Sequence, residues 1–418
     1  MALPILMRRL FRNDGYGPLL KPEIIPFAAG LASSESDAAA STLWVKDLAA
    51  APVYLSPSGS DSNDGMTAAS AVRTFAKAAQ IAKNLPQDIV TLSAAAGTYT
   101  GNLDIRTQSL RIELAGNVSF NGTINVEAGY VEVYGPGALA VSCSGTEYAV
   151  RLIGGAAVDF KCAVSVDAAV SGDVFVCQYN CNLYFNSTLS ITANADGSAF
   201  YVSQAYCEFF DAVSISGTKV ARIVLGLNNS GVVFDKGVSV TDIVTSEGIH
   251  IEGNSLCYLT TPSGSASTVR DGSSAYGTIL VYSGSAMFFS GAGTCSVYHK
   301  GQSWGSCIRA HEGVVIVNSN LSLTAAACES FIASGNRSDV RLETGSCSFS
   351  GAASEGTVNC NFVSMMTIMP GVTLSGSPTG HRYSVSWNST IFTQTAGPNR
   401  IPGSADGHPY TELFGLYG

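Results

Sequence analysis

Apolar and polar residues alternate along this chain in short bursts, and one small phrase recurs at even intervals. AVSV at 163–166, TLSI at 188–191, AVSIS at 212–216 and GVSV at 237–240 each set a hydroxyl residue between apolar ones. TCSV, NLSL, SCSF and GVTL follow further along. The middle residues are Ser165, Ser190, Ser214, Ser239, Thr268, Ser296, Ser322, Ser348 and Thr373, in steps of 24 to 29 residues, with Ser142 one step upstream. An internal period of this length marks a solenoid.

Two further series run in phase with the first. One consists of Val158/Phe160, Cys181/Leu183, Cys207/Phe209, Val232/Phe234, Cys257/Leu259, Met287/Phe289, Val315/Val317, Val340/Leu342 and Met366/Ile368. A looser one precedes it: Val150/Leu152, Phe175/Cys177, Phe200/Val202, Ile223/Leu225, Ile249/Ile251, Ile279/Val281 and Ile308/Ala310. Each pair alternates with period two, as a strand with one buried side does. Three strands per period predict an all-β fold, a parallel β-helix of roughly ten rungs filling residues 88–380. A single rung cannot bury its apolar side, but a stack can. The flanks of Ser214 then point inward and Ser214 itself outward.

An open end of such a stack is an unpaired sheet edge that needs a cover. VRTFAKAAQIAKNL at 72–85 places Phe75, Ala78, Ala79, Ala82 and Leu85 at helical spacing and stops at Pro86. It predicts an amphipathic capping helix within a strand-plus-helix unit at 53–87. Residues 31–52 read as a small-residue linker, and residues 381–418 as a closing segment. Residues 1–30 carry Leu6, Leu10, Phe11, Ile24, Ile25 and Phe27 without a regular period, interrupted by Pro18, Pro22 and Pro26.

The order strand (VYL), Gly/Asn/Asp loop, helix and then G-T-Y at 97–99 resembles the opening of pectate-lyase-like right-handed β-helix proteins, an opening that phage tailspikes and tail fibres share. NDGYGPLLKPEIIP at 13–26 resembles the N-terminal segment with which tail fibres dock on the tail. The C-terminal HRYSVSWNSTIF and NRIPGS are similar to the closing rung of phage β-helix proteins. The likeness covers roughly residues 1–110 and 380–418; the middle of the chain speaks only for the architecture. It implies a right-handed solenoid and a virion tail location. It also implies tail or baseplate attachment through residues 1–30, with the six apolar side chains named above as docking groups. A homotrimer and a host-surface polysaccharide partner follow from the same resemblance.

Composition narrows the partners. Only 13% of the 418 residues are charged and the formal net charge is −9, so nucleic acid is not expected, because phosphate binding needs a basic surface. No run of 18 apolar residues occurs, so membrane insertion is not expected either. In MALPILMRRLFRNDG the arginines follow the apolar residues, the reverse of a secretory signal, which predicts synthesis in the host cytoplasm without a signal peptide. Eleven cysteines in such a setting read as reduced thiols, with Cys181, Cys207 and Cys257 in one inward column and Cys295 and Cys347 in another. They lack zinc spacing. Asp61, Asn63 and Asp64 miss the EF-hand pattern and read as turn residues. Neither a metal nor a cofactor is expected.

Glycoside cleavage needs two carboxylates about 5–9.5 Å apart. Asp211 and Asp235 follow the second-series strands one rung apart, although Lys236 adjoins Asp235; Glu252 and Glu312 lie two rungs apart. A binding surface has more support. Rungs swell at VRDGSSAYGT (269–278) and VYHKGQSWGSC (297–307), and insertions on a solenoid collect on one face. These loops bring together Arg270, Tyr276, Tyr298, His299, Lys300, Gln302 and Trp304, aromatic and polar groups suited to sugar rings. The expectation is a glycan-binding tail fibre rather than an enzyme. The alternatives are a tailspike polysaccharide depolymerase on the same body and, weakened by the missing signal, a bacterial adhesin. Deleting residues 1–30 is expected to leave a folded fibre that is absent from assembled particles; incorporation of the truncated protein at wild-type levels in purified virions would refute the anchor.

Overall fold

A computed structural model describes residues 52–409, apart from 86, 273, 301–302 and 395–396, together with the short strands 11–13, 18–20 and 416–417. Leu6, Leu10, Ile24, Ile25, Phe27, the linker 31–51 and Gln302 lie outside the described residues. Phe11 belongs to an antiparallel pair, Phe11–Asn13 with Pro18–Leu20.

The chain winds into a parallel β-solenoid of about 12 turns. One turn comprises Asn182–Phe185 on the first face, Leu189–Ala195 on the second and Ser198–Ser203 on the third. The next repeats it with Tyr206–Phe209, Val213–Lys219 and Arg222–Leu227, each paired in parallel with its predecessor. Burial alternates strictly: in Leu189–Ala195 every odd position is buried and every even one exposed. Ser165, Ser190, Ser214 and Ser239 stand in one outward column, and Thr268, Ser296, Ser322 and Ser348 in its continuation.

Inside, like stacks on like. The rings of Phe160, Phe185, Phe209 and Phe234 lie 4.8, 5.3 and 4.8 Å apart and within 17° of parallel, a spacing set by the distance between hydrogen-bonded strands. Phe175 stacks on Phe200 at 5.3 Å.

The additional turns sit at the start. Gly97–Thr100 pairs with Val118–Asn121, which pairs with Leu139–Ser144. These steps are 21 residues (97 to 118 to 139), too short to join the longer series. Four register assignments also change. Ala140, not Ser142, pairs with Ser165. Ser375, not Thr373, pairs with Ser348. Val224 and Gly226, rather than Ile223 and Leu225, continue the third face. Leu183 holds the column of Cys207, while Cys181 sits at the corner, its thiol donating to Gln178 O at 2.8 Å. All eleven cysteines are free and buried, and burial pushes the Cys257 and Cys347 thiols up to about 12.

The helix spans Phe75–Lys83, shorter than 72–85, because Val72 bridges to Leu55 and Thr74 caps the N-terminus by accepting from Lys77 N at 3.1 Å. Phe75 closes the core against Tyr99 and Phe120, with ring centres 4.9 and 5.4 Å away. Asp61 serves this entrance: it accepts from Arg73 N, Thr74 N and Thr74 Oγ1 at 2.9–3.0 Å. Burial opposes its ionisation, but those hydrogen bonds prevail and hold the carboxyl below the usual range. At the other end Tyr383–Val385 and Thr390–Phe392 continue the parallel stacking.

Phe234 is fully buried in the aromatic column. Phe234→Asp therefore places an unpaired charge in the core at a cost of several kcal/mol and is expected to melt the stack. The outward Ser214→Ala should stay within about 0.5 kcal/mol of wild type. Thermal denaturation followed by far-ultraviolet circular dichroism checks both; equal melting of the two variants would contradict the inward and outward assignment.

Candidate functional site

The two swollen loops lie on consecutive turns at the corner between the second and third faces. Arg270 and Tyr298 are register partners, with the guanidinium 4.3 Å from the ring centre. Tyr276 is 59% exposed and Trp304 74%, and the strands that follow them pair through Gly277 and Ser306. Two large aromatic side chains therefore face solvent on neighbouring turns.

His299 differs from the expectation. It is buried with Asp271: His299 Nδ1 lies 2.6 Å from Asp271 Oδ2, and neither side chain is exposed. Strand alternation explains this, since Val297 and His299 both point inward at the end of Ala286–His299. His299 is thus a brace and not a solvent-facing contact. Asp271 Oδ1 accepts from Lys300 N at 2.6 Å, and Thr278 Oγ1 donates to Tyr298 O at 3.2 Å. A Cβ on Gly305 would come within 2.6 Å of the His299 ring, so only glycine lets the loop lie flat on the imidazole. The Lys300 ammonium reaches across two turns to Asp242. Arg309 Nη2 holds Trp304 O at 2.9 Å and pairs with Glu329, whose N–H donates to Gly305 O at 2.7 Å. Trp304 thus rises from a pinned backbone.

Asp271, Asp242, Thr278, Arg309 and Glu329 were not singled out by the sequence pattern. Apart from the local Arg309–Trp304 bond, their partners lie 20 to 58 residues away in the chain, joined by the register of the turns. The acid beside Arg270 in VRDG was the available signal.

Asp211 and Asp235 fall on consecutive turns but one residue out of phase: the register Phe209↔Phe234 sets Asp235 level with Phe210 and Asp211 level with Lys236. Lys236 Nζ lies 3.3 Å from Asp211 Oδ1, an ion pair between turns. Glu252 sits 3.4 Å from His250 Nε2, and Glu312 occupies a left-handed corner position. A different pair of acids shares a cavity. Glu147 and Asp173, with Tyr148, Arg151 and Tyr201, line a polar pocket of about 290 Å³. Burial pushes the Asp173 carboxyl above the usual carboxylate range, against the Ser198 hydrogen bonds that lower it; Ser198 N donates to it at 2.5 Å.

No group of three or more metal-ligating side chains occurs among the described residues, and none of their helices is long and apolar enough to cross a membrane. Compared with family models, curated proteins and solved structures, the chain finds no match.

Leaving a buried polar group without its partner costs about 1–3 kcal/mol. Asp271→Ala is expected to lose that much in chemical denaturation and to open the loop at 300–305 to limited proteolysis. The double variant Asp271→Ala/His299→Ala should lose less than the two single losses combined. Strict additivity would show that the two side chains do not act as a pair.

Proposed function

We propose that the protein is a receptor-binding fibre of a phage or phage-tail-like particle, and that it holds host-surface polysaccharide against the side of a rigid rod. The observation that carries this reading is the pair of solvent-facing aromatics, Trp304 and Tyr276, mounted on adjacent turns. Exposed aromatics of this size cost solubility unless they meet a partner. Sugar rings present CH faces that stack on such rings, and Arg270 and Lys300 supply hydrogen-bond donors close by. A backbone pinned by Arg309 and Asp271 loses little freedom when the partner binds.

In this reading residues 1–30 dock on tail or baseplate proteins, the fibre is a homotrimer and its place is the virion tail. These parts rest on the resemblance of the chain ends to tail fibres. The net charge of −9 speaks against a nucleic-acid partner.

A polysaccharide depolymerase is the second reading, favoured by the cavity that Glu147 and Asp173 share. Two carboxyls that face one polar cavity are the functional groups glycoside hydrolysis uses, and burial raises the Asp173 carboxyl. Incubation of purified protein with host capsule or lipopolysaccharide separates the two. Retention without saccharide release supports the fibre; release that is lost in Asp173→Asn supports the enzyme.

Trp304→Ala is expected to weaken host-cell adsorption by about tenfold, equivalent to about 1.4 kcal/mol, at an unchanged melting temperature. Loss of the trimer with a lower melting temperature would assign Trp304 to a subunit contact. Unchanged adsorption would remove these loops from the receptor site.

A further inference from the structure

A second feature lies on the first face, away from the swollen loops. The outward column there runs Asn182, Tyr206, Gly231, Leu256 in parallel register. At Gly231 the column has no side chain. The Tyr206 ring leans over the gap, so that a Cβ on Gly231 would lie 2.7 Å from it. The neighbouring outward column supplies Val233 and, one turn on, Tyr258, whose ring stacks on Phe288 at 4.4 Å. The result is a groove of about 500 Å³, within the range of about 300–1,000 Å³ usual for small-ligand sites.

Its walls differ in chemistry. Tyr206, Leu256 and Tyr258 form the apolar side. The opposite side is the corner between the third and first faces, where Asn180, Gln204, Asn229 and Asn254 all have left-handed backbones, φ +51 to +64. Asparagine tolerates that conformation better than most residues. Backbone hydrogen bonds tie the corner together from turn to turn: Asn180 N donates to Gln204 O at 2.6 Å and Asn229 N to Gly253 O at 2.7 Å. The amides are therefore presented in a file along the solenoid axis, from turn to turn at about 4.8 Å.

No charged side chain lines this groove. A carboxylate, sulfate or phosphate entering it would lose water without gaining a counter-charge, which is costly. Glu208, on the strand of Tyr206, adds repulsion. A hydrocarbon would strand the amides. A ligand with one apolar face and an edge of hydroxyls satisfies both walls.

We infer that the groove is a binding site for a neutral saccharide, a hexose unit or short run of units within a polymer. The ring stacks on Tyr206 or Tyr258, and its hydroxyls exchange hydrogen bonds with the corner amides. The inference rests on the glycan-binding reading and adds to it a site independent of Trp304, together with a substrate class.

The test uses the full-length protein on an array of neutral and acidic bacterial saccharides, comparing wild type, Gly231→Leu, Tyr258→Ala and Ser214→Ala. Gly231→Leu fills the gap. Tyr258→Ala removes a wall at a residue 37% exposed, so it decides the matter if Gly231→Leu lowers the melting temperature. The expected result is binding of neutral saccharides that falls at least tenfold in both groove variants while Ser214→Ala, outward on the second face, retains signal on the same spots. Neutral binding unaffected by either groove variant overturns the groove and leaves the receptor-binding reading standing. Binding confined to acidic saccharides overturns the neutral class. Absence of saccharide binding by wild type overturns this site and the proposed function together.

Discussion

Axial stacking of inward side chains is the interaction on which the molecule depends. Hydrogen bonding between parallel strands fixes the turn-to-turn distance, and a flat ring fills that distance almost completely. The Phe160–Phe185–Phe209–Phe234 column therefore ties backbone pairing and core packing to one spacing. A residue inserted within a strand would turn every later side chain on that strand to the other side. Residues inserted at a corner leave all three faces in register, which is why turn length varies from 21 residues near the start to more than 25 in the region of the swollen loops.

The same constraint explains what could be read from the chain alone. The inward pairs were legible because alternation and the long period reinforce each other at Phe209, Phe234 or Phe289. Alternation does not distinguish a position from one two residues away, and the displaced assignments at Ser142, Thr373 and Cys181 are all of that kind. Ile223 and Leu225 failed differently: the run IVL is apolar throughout, so it carries no phase. The site was legible where exposure follows from loop position, as with Trp304 and Tyr276. It was illegible at His299, whose inward direction depends on where the preceding strand ends. The groove was further out of reach, because its defining feature is a side chain missing from a column that exists only after the turns are stacked.

Corners obey a second rule. Between the third and first faces the chain turns through left-handed residues, and from Gly154 to Gly284 these are Gly, Asn, Gln or Ser apart from Tyr179. Near the C-terminal end Phe362, Val363 and Trp387 take the same conformation at φ +54 to +63, where a bulky residue costs roughly 1–2 kcal/mol. Phe362 and Trp387 also stack, with ring centres 5.4 Å apart at 16°, while both remain exposed. The turn geometry is thus imposed by the strands on either side and not chosen by the corner residue. Asn corners are the unstrained solution, and they bring amides into line as a by-product.

That division of labour bears on how such a rod acquires binding surfaces. Inward positions are fixed by stacking, so variation is confined to outward columns and corners. Either can change without disturbing the core, and both repeat along the axis. A polymer with its own repeat can meet several equivalent turns, whereas a compact ligand meets one irregularity in the column. The two features described here fall on opposite sides of this distinction. The Trp304 loop is an insertion braced by charged pairs, including one that spans two turns. The Gly231 groove adds no residues; its apolar wall is built of strands hydrogen-bonded on both sides and its corner wall is tied from turn to turn by backbone hydrogen bonds. Its shape is consequently set by the fold alone, so a ligand there would not meet the ordering cost that weakens loop-based sites.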